Sequence, residues 1–241
     1  MSVPLSAPVG NRLLTNLSPE VQSQLQPHLT LVELRQRQVI YKPDGPIDAV
    51  YFPEVGMISI VATLADGGAA EVGVVGPEGM AGIGLLSGVT TSFVECMVQM
   101  PGAAWRMNAS AFRQEIETNA PVRQLMLRYT EALQAQVMQT AACNGRHGLE
   151  AKLCRWLLMC HDRADGDEVQ LTQEFIAMML GVHRPSVTMA ARTLQSAGLI
   201  RYRGGRVTVL DRVGLEAATC ECYATVRRRY ETVVGFSAIR R

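Results

Sequence analysis

The side chains best placed to do chemistry in this 241-residue chain cluster late, between residues 171 and 210. Arg184, Ser186, Thr188, Met189 and Arg192 follow one another closely, and Arg201, Arg203 and Arg206 gather around Gly204-Gly205. A guanidinium presents a planar fork of donors that fits both a guanine edge and the oxygens of a phosphate. Hydroxyls and a thioether beside it suit the remainder of a base edge. The chemistry implied is recognition of a polyanion rather than bond making.

Such groups need a scaffold, and the neighbouring residues supply one. Thr172 is a good N-cap, Glu174 puts an acid in a first helical turn, and Phe175, Ile176, Met179 and Leu180 recur at helical spacing. Gly181, with no Cβ, ends that helix cheaply. Pro185 suits the first turn of a second helix, where its missing N–H has no intrahelical partner anyway. Val187, Ala191 and Leu194 give this second helix a buried side, and Gly198 stops it. The spacing is that of a helix-turn-helix, whose second helix enters the DNA major groove. Residues 199–203 and 206–210 read as two strands joined by a tight Gly-Gly turn, a hairpin wing. On this reading Arg184 contacts guanine. Ser186, Thr188 and Met189 face bases or phosphates, and Arg192, Arg203 and Arg206 meet phosphates.

Residues 181–200, GVHRPSVTMAARTLQSAGLI, resemble the turn and recognition helix of the CRP/FNR family of bacterial transcription regulators, with the pattern G-x-[ST]-R-E-[ST]-V-x-R-x-L-x-x-L-x-x-x-G-[LI]-I. Arg184, Ser186, Val187, Leu194, Gly198, Leu199 and Ile200 fall on it. His183 replaces the hydroxyl cap, Pro185 the base-reading acid and Met189 the second arginine, so the family's usual operator does not carry over.

Upstream, residues 1–30 read as a short helical lead-in, with Ser18-Pro19-Glu20 capping a helix. Short β-type runs follow at 38–41, 49–52, 57–62 and 93–98, separated by turns rich in Pro, Gly and Asp, and predict a small barrel or sandwich. By its place before a long helix and a winged helix, this part resembles the family's β-roll sensor, the cyclic-nucleotide-binding fold. Its nucleotide-binding members hold the ribose with a glutamate and the cyclic phosphate with an arginine. Here Gly82 falls at the glutamate position and Thr91, next to Ser92, at the arginine position; no Lys or Arg lies between Lys42 and Arg106. A buried phosphate without a cation is unfavourable. The cassette therefore reads as degenerate, and the effector is unknown. Glu78, in a Gly-Pro-Glu-Gly turn, reads as an exposed carboxylate.

Residues 109–144 are mostly helical, with a fresh start at Pro121 and a stripe of Val122, Leu125, Met126, Tyr129, Leu133 and Val137 that ends in a break at Asn144-Gly145. The resemblance makes this the dimerisation helix, followed by a hinge. Leu149, Leu153, Trp156, Leu157 and Cys160 mark the core face of the next helix. Residues 212–234 read as one last helix whose Arg227-Arg228-Arg229 is a solvated face.

Composition agrees with this layout. The formal net charge of +1 divides into −3 for residues 1–148 and +4 for residues 149–241, so the half with the helix-turn-helix is the basic half. No apolar run approaches the roughly 18 residues of a membrane span, and no basic-then-apolar leader is seen, which places the chain in the cytoplasm. The six cysteines read as free thiols. Neither Cys154-x5-Cys160 nor Cys220-x-Cys222 has metal-site spacing, and the four histidines lack a distinguishing context, so no metal and no cofactor are expected. No phosphate-cradling loop or nucleophile elbow marks an enzyme, and no residue is assigned as catalytic. The expectation is an α+β chain: an antiparallel β-roll sensor over 1–118, a dimerisation helix and hinge over 119–146, and a winged helix-turn-helix over 147–241. Its partners would be double-stranded DNA, a second copy, RNA polymerase and an unidentified small effector, with no membrane. The alternative is a regulator whose β-roll binds a cyclic nucleotide or other effector that switches DNA affinity.

Overall fold

The computed structural model describes residues 10–236; the first nine residues of the expected lead-in lie outside them. Two short helices open the described chain. Asn11 caps α1 (Arg12–Thr15), its side-chain oxygen accepting from the Leu13 and Leu14 N–H groups, and Ser18 caps α2 (Pro19–Leu25). Five strands follow: β1 (Thr30–Leu34), β2 (Val39–Tyr41), β3 (Ala49–Thr63), β4 (Ala69–Val75) and β5 (Glu95–Asn108). They form one antiparallel sheet in the order β1-β5-β3-β4, with β2 also on β5. The runs expected as separate strands at 49–52 and 57–62 are a single strand. It continues through Pro53 because the pairing with β5 slips at bulges between Pro53 and Met57, which absorb the missing donor and curl the ribbon.

Helices α3 (Ala109–Thr118) and α4 (Ala120–Arg146) come next, α4 capped by the Asn119 side chain. The expected break at Asn144-Gly145 does not occur. One glycine inside a long helix costs only about 1 kcal/mol, and α4 runs on until His147 turns extended. Beyond it lie α5 (Leu149–His161), β6 (Glu168–Gln170), α6 (Gln173–Leu180), α7 (Arg184–Ser196), β7 (Ile200–Arg203) and β8 (Arg206–Val209), with a small sheet ordered β6-β8-β7. Strand β6 is not expected from the sequence: three residues with only Val169 buried are too few to show a period. Residues 212–234 form two helices, α8 (Arg212–Ala218) and α9 (Cys222–Val234), because Thr219 adopts an extended conformation between them.

Two contacts tie the halves together. Helix α9 lies along α4: the buried Gln136 side chain accepts from the Val74 N–H at 2.7 Å and donates to the Tyr230 hydroxyl at 3.0 Å. Tyr230 and Val234 belong to the same core as Phe52, Trp105 and Tyr129. Helix α5 is buried on all sides from Leu153 to Cys160. One side packs on the winged-helix core and the other meets the β-roll, where Met57, Val61, Val74, Met97 and Met100 share a cluster with Trp156 and Leu180.

Candidate nucleic-acid interface and sensor pocket

The helix-turn-helix is built as its caps require. The Thr172 hydroxyl accepts from the Phe175 N–H at 3.2 Å, and Gly181 ends α6 in the left-handed region at φ +62°. Helix α7 starts at Arg184, and His183 at its N-cap makes no side-chain capping bond, as the lost hydroxyl implies. Val187, Ala190, Ala191 and Leu194 are buried, which leaves Arg184, Ser186, Met189 and Arg192 exposed. Thr188 is half-buried, and its hydroxyl donates to the Gln173 side chain at 2.6 Å, so it braces α7 against α6 instead of facing outward. In the wing, Gly204 and Gly205 take φ of +60° and +75°, the backbone of a two-residue hairpin turn, and place Arg203 opposite Arg206. Thr172, Glu174, Arg184, Arg203 and Gly205 line a notch of about 380 Å³ between the two helices and the wing. Two of the arginines face acids of their own chain, Arg184 with Glu174 at 2.9 Å and Arg206 with Glu168 at 3.5 Å. Exposed pairs of this kind contribute only about 0–1 kcal/mol and exchange readily for another anion.

The β-roll forms a pocket of about 570 Å³, open to solvent beside the exposed Phe93, between β3, the 80–94 segment and α4. Its walls are mainly Ile47, Ile60, Val72, Met80, Phe93 and Leu133, and none of the described residues lining it is Lys or Arg. Gly82 sits at φ +97°, and a Cβ there would lie 2.8 Å from the Tyr41 hydroxyl and 3.0 Å from Val50. The backbone thus excludes a glutamate at that point. Thr91 is exposed, and the Ser92 hydroxyl donates to the Val94 carbonyl at 2.7 Å.

Besides Thr188, three readings of the sequence need correction. Val122, Leu125, Met126, Tyr129 and Leu133 are buried in the core of their own chain, so these five are not free to meet a second copy, while Val137 is half-buried at the pocket. A period of 3.6 residues identifies an apolar face without naming what covers it. The outward face of α4 instead carries Leu127 and Met138, 52% and 60% exposed. Glu78 is 1% exposed: one carboxylate oxygen accepts from Arg163 Nη2 and Nε at 2.6 and 3.0 Å and from the Gly76 N–H at 3.1 Å. Burial would strip Arg163 of its charge, but the Glu78 carboxylate keeps it firmly protonated. Nearby, Glu71 accepts from the Ser59 hydroxyl at 2.6 Å and the Trp156 indole at 2.8 Å, and burial pushes its carboxyl up to about 7. Both acids therefore join the β-roll to α5 or the turn that follows it. Lastly, Cys143, His147, Cys220 and Cys222 converge, although spacing gave no sign of it, because they come from two segments that only the tertiary fold brings together.

A β-roll with an apolar pocket, joined by a long helix to a winged helix-turn-helix, defines the class of two-domain transcription regulators. A family model for the cyclic nucleotide-binding domain matches residues 31–119, and one for the Crp-like helix-turn-helix domain matches residues 151–218. The chain belongs to the CRP/FNR family of transcription regulators. Solved structures share its fold at low identity. A transcriptional regulator of that family from Eubacterium rectale ATCC 33656 is 18% identical with a TM-score of 0.68, covering 87% of this chain and 98% of its own. FixK2 from Bradyrhizobium japonicum is 18% identical with a TM-score of 0.68, covering 80% and 98%. The c-di-GMP responsive global regulator CLP from Xanthomonas campestris is 16% identical with a TM-score of 0.62, covering 80% and 99%. Among curated proteins, none matches. Among the described residues no helix is long and apolar enough to cross a membrane.

Proposed function

We propose that the chain works as a cytoplasmic homodimer that binds a two-fold symmetric operator through α7 and the wing, and that its β-roll takes no cyclic nucleotide. The observation that carries the DNA reading is the notch shared by Arg184 and Arg203, with Ser186, Met189 and Arg192 exposed on the same helix and Arg206 exposed on the wing. One recognition helix reads few bases, and a dimer reads two half-sites about one helical turn apart. The dimer seam we favour is the outward face of α4, where Leu127, Gln134, Met138 and Ala141 are exposed at heptad-like spacing. RNA polymerase would be met at the promoter.

The pocket argues against a phosphate-bearing effector. Cyclic nucleotides need a cation for the phosphate, and so would c-di-GMP, the signal named for the Xanthomonas protein. The apolar lining favours a second reading, in which an uncharged, largely apolar molecule fills the pocket and biases two arrangements of the DNA-binding domains. Fluorescence anisotropy of the ligand-free protein on its own promoter region, at two salt concentrations, tests both. Tight, salt-sensitive and sequence-selective binding supports a dimer already poised for DNA. Weak and unselective binding, restored by a cyclic nucleotide, would overturn the reading of the pocket.

A further inference from the structure

The last turn of α4 and the break between α8 and α9 bring four soft donors to one point. Cys143 and His147 sit four residues apart, on one face of the helix end. Cys220 and Cys222 flank Glu221 at the start of α9. All four ligand atoms lie within 4.8 Å of one another, with Cys143 Sγ 3.5 Å from Cys220 Sγ and Cys222 Sγ 3.6 Å from His147 Nδ1. A tetrahedral zinc ion, at about 2.3 Å from sulfur and about 2.0–2.1 Å from nitrogen, gives edges of about 3.8 Å between sulfurs and about 3.6 Å between sulfur and nitrogen. A cluster of several irons would hold its thiolates farther apart.

The surroundings match a ligating set. His147 Nε2 lies 3.3 Å from the Glu221 carboxylate, the pairing that fixes a ligating imidazole's tautomer and points its other nitrogen at the metal. The Gln139 amide donates to Cys222 Sγ at 3.0 Å. A further observation concerns Arg155 of α5, which is 3% exposed and lies against α4 at Thr140. Its Nη1 reaches only the Thr140 hydroxyl and the Met159 sulfur, its Nε has no partner, and no carboxylate among the described residues lies within ion-pair distance. A buried guanidinium with an unpartnered nitrogen and no direct ion pair is unfavourable. Three thiolates and a neutral imidazole around a divalent ion carry one net negative charge, which would join the Glu71 carboxylate in offsetting the buried Arg155.

We propose that Cys143, His147, Cys220 and Cys222 form a closed structural site for a single zinc-class divalent ion, clamping the end of the long helix to the C-terminal helices. Binding exchanges three thiol protons, released to solvent, for the ion, with no change of oxidation state. Because His147 immediately precedes the α4–α5 junction, a loaded site fixes the hinge through which the DNA-binding domain is oriented.

The test is metal analysis of the full-length protein grown with zinc and purified with reductant and without chelator. The expected result is one zinc per chain, lost in Cys143→Ser and Cys222→Ser and kept in Cys96→Ser, whose thiol lies in the β-roll. Cobalt added to metal-free wild type should give the intense visible bands of a tetrahedral, thiolate-bound ion, a readout that needs no variant to fold. Glu221→Gln should keep the stoichiometry and weaken affinity about 10–100-fold. Wild type without zinc or cobalt bands, unchanged loading in both cysteine variants, or a Cys143–Cys220 disulfide in the reduced preparation would each overturn the proposal. None of these readouts involves DNA, so a failure here is distinct from a failure of the operator reading.

Discussion

Arg184 meets the solvent from the first turn of the recognition helix, paired to an acid it can release. Arg184→Ala should cost about 1–3 kcal/mol in operator binding and relax specificity at one base pair, whereas Arg206→Ala should weaken all sequences alike and lower the salt slope by about one. Anisotropy on the operator and on a scrambled duplex separates the two, and equal losses for both variants would refute the division of roles. A second residue-scale prediction concerns Glu71. Burial raises its carboxyl from about 4.5 to about 7, so the folded state holds a proton the unfolded chain gives up. Its contribution, about 3 kcal/mol, is fully present below about pH 4.5 and is lost as pH rises through about 7. Urea unfolding across that window should show the decline, and Glu71→Gln should flatten it. Sequence placed Arg184 because its cap, turn and helix are contiguous. It misjudged Glu78 and Thr188 because the groups that bury or turn them, Arg163 and Gln173, are fixed by tertiary packing and not by neighbours in the chain.

At the scale of elements, periodicity found nearly every helix and could not say what covers each. In α4 the more apolar stripe serves the monomer core, and the sparser face, with Leu127 and Met138, is the one the proposed dimer would use. Leu127→Glu should therefore convert dimer to monomer in sedimentation velocity while leaving far-ultraviolet dichroism unchanged. A dimer that survives both this change and Met138→Glu would place the seam elsewhere. Helix α5 makes the same point from the other side. Its sequence reads as amphipathic toward the winged helix, yet Cys154, Arg155, Leu158 and Met159 are also buried, because the β-roll closes over the second face. The hairpin wing was legible for a local reason, since two adjacent glycines between short β-type runs have few other uses.

Over the whole molecule, the DNA-binding domain is docked on the sensor through Glu78 with Arg163 and Glu71 with Trp156. Removing one member of a buried ion pair strands the other, typically at about 3–5 kcal/mol. Glu78→Gln should thus loosen the docked arrangement, read as faster amide exchange in α5 and at residues 74–80, with the β3–β5 ribbon still protected. Unchanged exchange would mean that the apolar contacts alone hold the domains. Domain order was readable from the chain, but docking was not, since it rests on contacts between residues about 85 positions apart. The return of α9 to α4 carries a consequence for biosynthesis. Tyr230 and Val234 complete the core that Phe52 and Trp105 begin, so on the ribosome the sensor half waits for α9 before its core is closed. A nascent chain therefore cannot finish its sensor before its DNA-binding domain has been made, and the two become competent together.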